Sequence, residues 1–308
     1  MMTERVPDYD ELELRITPAA GEGSYRLLAT GPDGSTASRT FSLPFDERQL
    51  DHFVLTVGQP RRGMWSHGSP KMQEARQKAK CFGSDLFKAL VAGDVRDIYF
   101  NARRVAEQQQ RGLRLTLYLT DVPELMEVPW EFLWDRPTFL SQSIYTPLVR
   151  SLDLTTVRPP RKLILPLRIL GMVSSPVGVN KLDVDSERAK LDEALCGLER
   201  NGIVELRWLE HATLKSLEEA VGVAGDVHVL HYIGHGAYDR RTKSGILVLE
   251  TDQGDVHEAT GEDLGSVLQN ELSMRLVVLN ACEGVPEDRM STPSPASPRA
   301  SSSTKSQR

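Results

Sequence analysis

From about residue 163 onward, short apolar runs alternate with amphipathic stretches at helical spacing. No other feature constrains the fold as much. Residues 167–173 are a nearly continuous apolar run, and 203–209, 227–233 and 275–280 repeat the pattern. Between the first two, Leu191, Leu195 and Leu198 mark a helix over about 185–200, stopped by Asn201-Gly202. Thr213 is placed to cap a helix running through Val221. Residues 245–250, followed by the Asp252-Gln253-Gly254-Asp255 turn, predict a hairpin. Thr260 and Asp263 fit a helix start before Leu264 and Leu268. Strands that read as continuous apolar runs, separated by helices, predict an α/β fold with a mostly parallel sheet flanked by helices. In such sheets chemistry gathers at the carboxyl ends of the strands.

The first half reads differently, as a mixed α+β region over 1–155. Leu12, Leu14 and Ile16 alternate as a half-buried strand requires, and Gly31-Pro32-Asp33-Gly34 is a turn between two more strands. Asp46 is placed to cap a short helix carrying Leu50, Phe53 and Val54. Ser69-Pro70 opens a longer helix with Phe82, Leu86, Phe87 and Leu90 on one face. Gly93-Asp94 separates it from a second helix over about 98–109, which Gly112 is expected to stop. Leu113, Leu115, Leu117 and Leu119 then mark a strand. Trp130 and Trp134 read as packing residues. The stiff, polar Val157-Arg158-Pro159-Pro160-Arg161-Lys162 reads as a linker. A length of 308 residues agrees with two domains at roughly 150 residues each.

Charge and cysteine usage narrow the function classes. Lys and Arg number 37 against 43 Asp and Glu, a net charge of −6. A nucleic-acid surface would want a basic excess, and adsorption to anionic lipid would too. No stretch approaches the ~20 apolar residues of a membrane span. The polar N-terminus predicts no signal peptide, and three distant cysteines, Cys81, Cys196 and Cys282, predict no disulfide framework. The expectation is a cytoplasmic protein. Cys81 and Cys196 fall on helical faces among apolar residues and read as packing.

Two apolar strands run into small residues and a reactive side chain: His231-Tyr232-Ile233-Gly234-His235-Gly236 and Leu279-Asn280-Ala281-Cys282-Glu283-Gly284. A thiol needs a base to become a thiolate, and a histidine on a neighbouring strand end can supply it. Glycines beside His235 let a substrate backbone approach. The two residues are 47 positions apart, close to the roughly 50 that separate histidine and cysteine in caspases. A zinc reading of His228, His231 and His235 fares poorly, because an odd separation points strand side chains to opposite faces. His231 reads instead as a core histidine. His52, His67, His211 and His257 have no evident partner. Asp239 and Glu283 flank the cleft as candidate substrate-pocket residues that would select a basic side chain; the alternative is that they are solvated. Glycine clusters at 21–23 and 31–34 lack a phosphate-loop pattern.

These stretches resemble the CHAT family of caspase-like cysteine peptidases. Gly83-Ser84-Asp85-Leu86-Phe87, Pro129-Trp130-Glu131 and Pro166-Leu167-Arg168-Ile169-Leu170 add weaker matches to the N-terminal region of bacterial CHAT proteins. The resemblance covers about residues 10–284. It implies a caspase-like domain over 163–284, peptide-bond hydrolysis with Cys282 as nucleophile and His235 as base, and an oxyanion hole from the backbone N–H groups of Gly236 and Cys282. It implies no cofactor and no metal. The partners implied are a protein or peptide substrate and a sensor or repeat-containing protein, with no nucleic acid and no membrane. The alternative is a non-catalytic scaffold module, or inactive remnant, of the same fold.

The family sheet continues beyond its cysteine strand, and here the pattern stops. Residues 291–308 contain only Ser, Thr, Pro, Ala, Arg, Lys and Gln, which predicts a disordered tail over 285–308 and a truncated domain of impaired activity. With GC-rich codon choices, reading that tail one base earlier gives Asp-Val-Asp-Pro-Phe-Ala-Gly-Val-Ala-Gln-Ser-Leu-Val-Gln-His-Glu-Val-Pro-Ala, which has the look of the family's next helix. The expectation is a frame change near Gly284 or Val285.

Overall fold

The computed structural model describes residues 7–57, 70–151, 153, 162–179, 182–224, 226–239, 242, 244–269 and 271–283. Ser69, the linker over 157–161 and the tail from 284 lie outside them. Contacts divide the chain into two compact units, 1–157 and 158–308.

In the first unit, strands β1 (Tyr9–Pro18), β2 (Ser24–Thr30) and β3 (Thr36–Ser42) form an antiparallel meander. Helices α1 (Glu47–Val57), α2 (Pro70–Leu90) and α3 (Asp94–Gln108) follow, then β4 (Gly112–Tyr118), which joins β1 in parallel. A small hairpin, β5 (Trp134–Asp135) and β6 (Thr138–Phe139), precedes β7 (Leu148–Ser151), parallel to β4. The predicted alternation holds: Leu12, Leu14 and Ile16 are buried and pack with Leu86, Leu90 and Tyr99. Asp46 caps α1, its carboxylate accepting the Gln49 N–H at 2.8 Å. Trp130 is buried, its indole N–H donated to the Leu125 carbonyl at 2.9 Å, as a packing tryptophan requires.

Gly112 does not stop α3. Gln110, at φ 57°, makes the left-handed turn, and Gly112 opens β4. Glycine is needed there for closeness, because a Cβ would lie 2.5 Å from the Tyr9 ring.

The second unit has the predicted layers. β8 (Leu167–Val173), α4 (Val184–Arg200), β9 (Val204–Trp208), α5 (Leu214–Ala224) and β10 (Val229–Asp239) are followed by a hairpin, β11 (Ser244–Glu250) and β12 (Val256–Thr260). α6 (Gly261–Leu268) and β13 (Leu276–Glu283) come last among the described residues. The order β9-β8-β10-β13 is parallel throughout. The hairpin joins β10 antiparallel through β11. Caps act where the sequence put them. Thr213 accepts the Ser216 N–H at 3.0 Å, and Thr260 and Asp263 form a reciprocal capping box. α5 and α6 cover one face with Leu170, Met172, Leu230 and Tyr232; on the other, Leu195 of α4 packs against Ile169, Val204 and Val229. No helix among the described residues is long and apolar enough to cross a membrane.

Packing in the first unit leaves no room at Gly83 of α2, where an added Cβ would lie 1.8 Å from the Phe132 carbonyl oxygen. Backbone cannot yield as a side chain does, so Gly83→Ala is expected to cost about 1–3 kcal/mol. A urea melt of the full chain checks this. An unchanged midpoint contradicts the packing described.

Candidate active site

The site is built on two neighbouring strands. β10 and β13 run parallel in a register that pairs Val229 with Leu276 and continues to His235 with Cys282 and Gly236 with Glu283. The two residues singled out by sequence, 47 apart in the chain, are therefore Cα partners on adjacent strands.

Their surroundings differ from the expected strand ends. β10 does not stop at Ile233 but runs on through Gly-His-Gly to Asp239, and β13 runs through Cys282 to Glu283. The small residues that read as strand termini are strand interior, because the β11 hairpin supplies partners for residues 235–239. His235 is paired on both sides, with Val248 and Cys282, and is 1% exposed. Gly236 is likewise paired with Leu247 and Glu283. A Cβ on Gly236 would come 3.0 Å from the Ala281 side chain, so glycine here permits tight strand packing.

β10 changes neighbours along its length. Residues 229–233 pair with β8, and residues 235–239 with β11. β13 occupies the opposite edge of β10 over 229–236, so β8 and β11 share one edge and the sheet forks at Gly234. Ser174, fully buried, follows β8 at the fork. Its N–H donates to the Ile233 carbonyl at 2.9 Å and its hydroxyl to the Val248 carbonyl at 2.7 Å. The Tyr232 hydroxyl lies 2.9 Å from the His235 carbonyl and 2.8 Å from that of Val248. Burial pushes the Tyr232 phenol well above its ordinary range, so it stays protonated and acts as a donor.

Sequence reasoning passed over Tyr232 and Ser174. A signal was present in the Tyr-x-Gly spacing: residues two apart on a strand share a face. A Cβ on Gly234 would sit 2.2 Å from the Tyr232 hydroxyl oxygen, so the glycine makes room for the phenol.

The remaining candidates fall as follows. The Asp239 carboxylate accepts from the Thr242 hydroxyl at 2.7 Å, four residues along β10 from His235. Glu283 is placed by its register with Gly236. A cavity of about 380 Å3, lined by Gly236, Ile246, Leu247, Leu264, Leu279 and Ala281, opens near α6. Strand alternation puts Gly236 and Ala281 on the face opposite to His235, so this space does not adjoin the imidazole. His228 is buried, and its Nδ1 accepts the Arg168 N–H at 2.9 Å. Burial is the main cause holding its pKa below the ordinary value, helped by Arg168 and Arg275. Burial likewise lowers His231. No cluster of metal-ligating side chains occurs among the described residues. The packing reading of Cys81 is overturned: it is exposed, with the Gln77 amide at 3.5 Å. Cys196 is half-buried beside the Arg200 guanidinium at 2.9 Å. Cys81 lies on the exposed side of α2, away from the buried Ala79 and Gly83.

The family model described as CHAT domain matches residues 81–293, more than half of the chain. No curated protein matches it.

The His228 contact gives a signed pH dependence. A histidine with a depressed folded pKa contributes stability above its unfolded pKa, near 6.5, and loses it as pH falls through the lower folded value. Wild-type stability is expected to fall between pH 7 and pH 5 more steeply than that of His228→Asn, whose amide oxygen can accept the same N–H without titrating. Urea midpoints across that range check it. Parallel curves contradict it.

Proposed function

The chain belongs to the CHAT domain family of caspase-like peptidases, and from that premise we propose that it is a cysteine endopeptidase in which His235 and Cys282 form the working pair. The observation that carries this reading is the register, which makes the two residues neighbours across one parallel strand pair. In-register residues on adjacent strands share a face of the sheet, the placement a thiol and its base require.

The chemistry then follows from the residue types. The His235 imidazole accepts the Cys282 thiol proton, and the sulfur attacks the substrate's carbonyl carbon. The resulting oxyanion collapses, the C–N bond breaks, and the imidazolium returns its proton to the leaving amine. Water, deprotonated by the same imidazole, cleaves the thioester and regenerates the thiol. The Cys282 backbone N–H is the oxyanion donor in this scheme. Gly236 lies in a strand paired on both sides, so its N–H can serve only if the ladder opens beside it. A basic substrate side chain would meet Asp239, which has the strand parity of His235; Glu283, in register with Gly236, has the opposite parity. No step calls for a metal or a cofactor.

One observation favours the second reading, a non-catalytic scaffold of the same fold. His235 is 1% exposed, and a base must reach its substrate. A panel of peptidyl acyloxymethyl ketones separates the two readings. These probes alkylate a cysteine that is both activated and able to bind a peptide. The peptidase reading predicts labelling at Cys282, located by peptide mass spectrometry and slowed about 10²–10⁴-fold in His235→Ala, the usual weight of a general base. Labelling unchanged in His235→Ala, or none by any probe, contradicts it and favours the scaffold.

A further inference from the structure

The fork in the second sheet lies one residue from the proposed base. At Gly234, β10 exchanges β8 for β11 along one edge, and there neither strand is in register with it. Interruptions of this kind loosen a sheet unless side chains replace the missing ladder contacts. Here Tyr232 and Ser174 replace them. Both hydroxyls converge on the Val248 carbonyl, and that of Tyr232 also reaches the His235 carbonyl. Tyr232 is 1% exposed and Ser174 fully buried, so water does not compete for these contacts.

The two hydroxyls hold different things. Ser174 ties the end of β8 to β11 through the Val248 carbonyl, and its hydroxyl also meets that of Tyr232. Tyr232 ties β10 to itself across the fork, from two residues before Gly234 to one residue after it. Strand alternation puts the Tyr232 ring on the face opposite the His235 imidazole. Its influence on His235 therefore passes through the backbone carbonyl, and Gly234 is the residue whose missing Cβ makes the path available. A backbone fixed at this atom fixes the origin of the His235 side chain, and with it the side chain's aim toward the neighbouring strand.

We propose that Tyr232 is a positioning residue for His235: its hydroxyl, seated over Gly234, pins the His235 backbone at the sheet fork and so aligns the imidazole with Cys282. This rests on the His235–Cys282 reading and adds to it a residue that touches neither substrate nor thiol.

The test compares Tyr232→Phe with Ser174→Ala in the full chain carrying Cys81→Ser and Cys196→Ser. Both variants remove one buried hydroxyl bond to Val248, and both are expected to lower the unfolding midpoint. Only Tyr232→Phe removes the hydroxyl that reaches the His235 carbonyl. The first readout is the pH profile of Cys282 alkylation by iodoacetamide. Tyr232→Phe is expected to slow alkylation near neutral pH by about tenfold, the weight of one neutral hydrogen bond, and to move the profile toward that of His235→Ala. Ser174→Ala is expected to keep the wild-type profile. The second readout is amide hydrogen exchange over 234–236, expected to quicken in Tyr232→Phe alone. Folded Tyr232→Phe with a wild-type profile and wild-type exchange overturns the positioning role and leaves the His235–Cys282 pair standing. If wild type and His235→Ala alkylate alike, the pair itself fails. Exchange then decides the clamp: faster in Tyr232→Phe alone supports it, and unchanged overturns it.

Discussion

The parallel pairing of β10 with β13 is the contact on which the rest of the site depends. A parallel ladder has no tight turn to set its register, so side-chain burial must set it. Here Val229 and Val278 pack toward α4, while Leu230, Tyr232 and Val277 pack toward α5 and α6. Sliding β13 by one residue would turn each of its apolar side chains to the wrong layer. The same forces that build the core therefore bring position 282 opposite position 235.

β10 bears an unusual load. It pairs with β13 along one edge and with two different strands along the other, and the change of partner falls beside His235. Ordinary ladder bonds cannot serve such a junction alone. The glycine at 234, the phenol at 232 and the hydroxyl at 174 meet at this junction, the glycine leaving space for the phenol and both hydroxyls reaching the Val248 carbonyl. Local sequence chemistry and site geometry meet there, since the glycine also admits the clamp.

The sequence made the layered α/β pattern of the second unit legible because burial leaves periodic marks. Capping residues Asp46, Thr213 and Thr260 were readable for a similar reason, as their side chains replace a backbone partner within three residues. What failed to show depended on distant partners. Strands β10 and β13 extend further than their sequence suggests, because Gly, Ala and Asn weaken local strand signals, whereas the extra pairing comes from elsewhere in the chain, for β10 from the β11 hairpin. Gly112 looked like a helix stop, yet Tyr9, about a hundred residues away, explains it. The exposed Cys81 shows the converse, a residue with apolar neighbours in sequence that lies on the exposed side of its helix. For the candidate site, the two residue identities were visible and their adjacency was inferred by resemblance. The buried clamp beneath them was invisible to motif reasoning, because it acts through carbonyls that every residue carries.

The central claim is the register that sets residue 235 beside residue 282, and a cross-link tests it without assuming any chemistry of catalysis. Cysteines facing one another on adjacent strands fall within the range of Cα separations that a disulfide spans, about 4.4–6.8 Å. In the full chain with Cys81→Ser, Cys196→Ser and His235→Cys, mild oxidation should yield an intramolecular disulfide joining positions 235 and 282, identified by peptide mass spectrometry under non-reducing conditions. A folded protein that forms no such bond, or links those cysteines only between molecules, would contradict the register and with it the site.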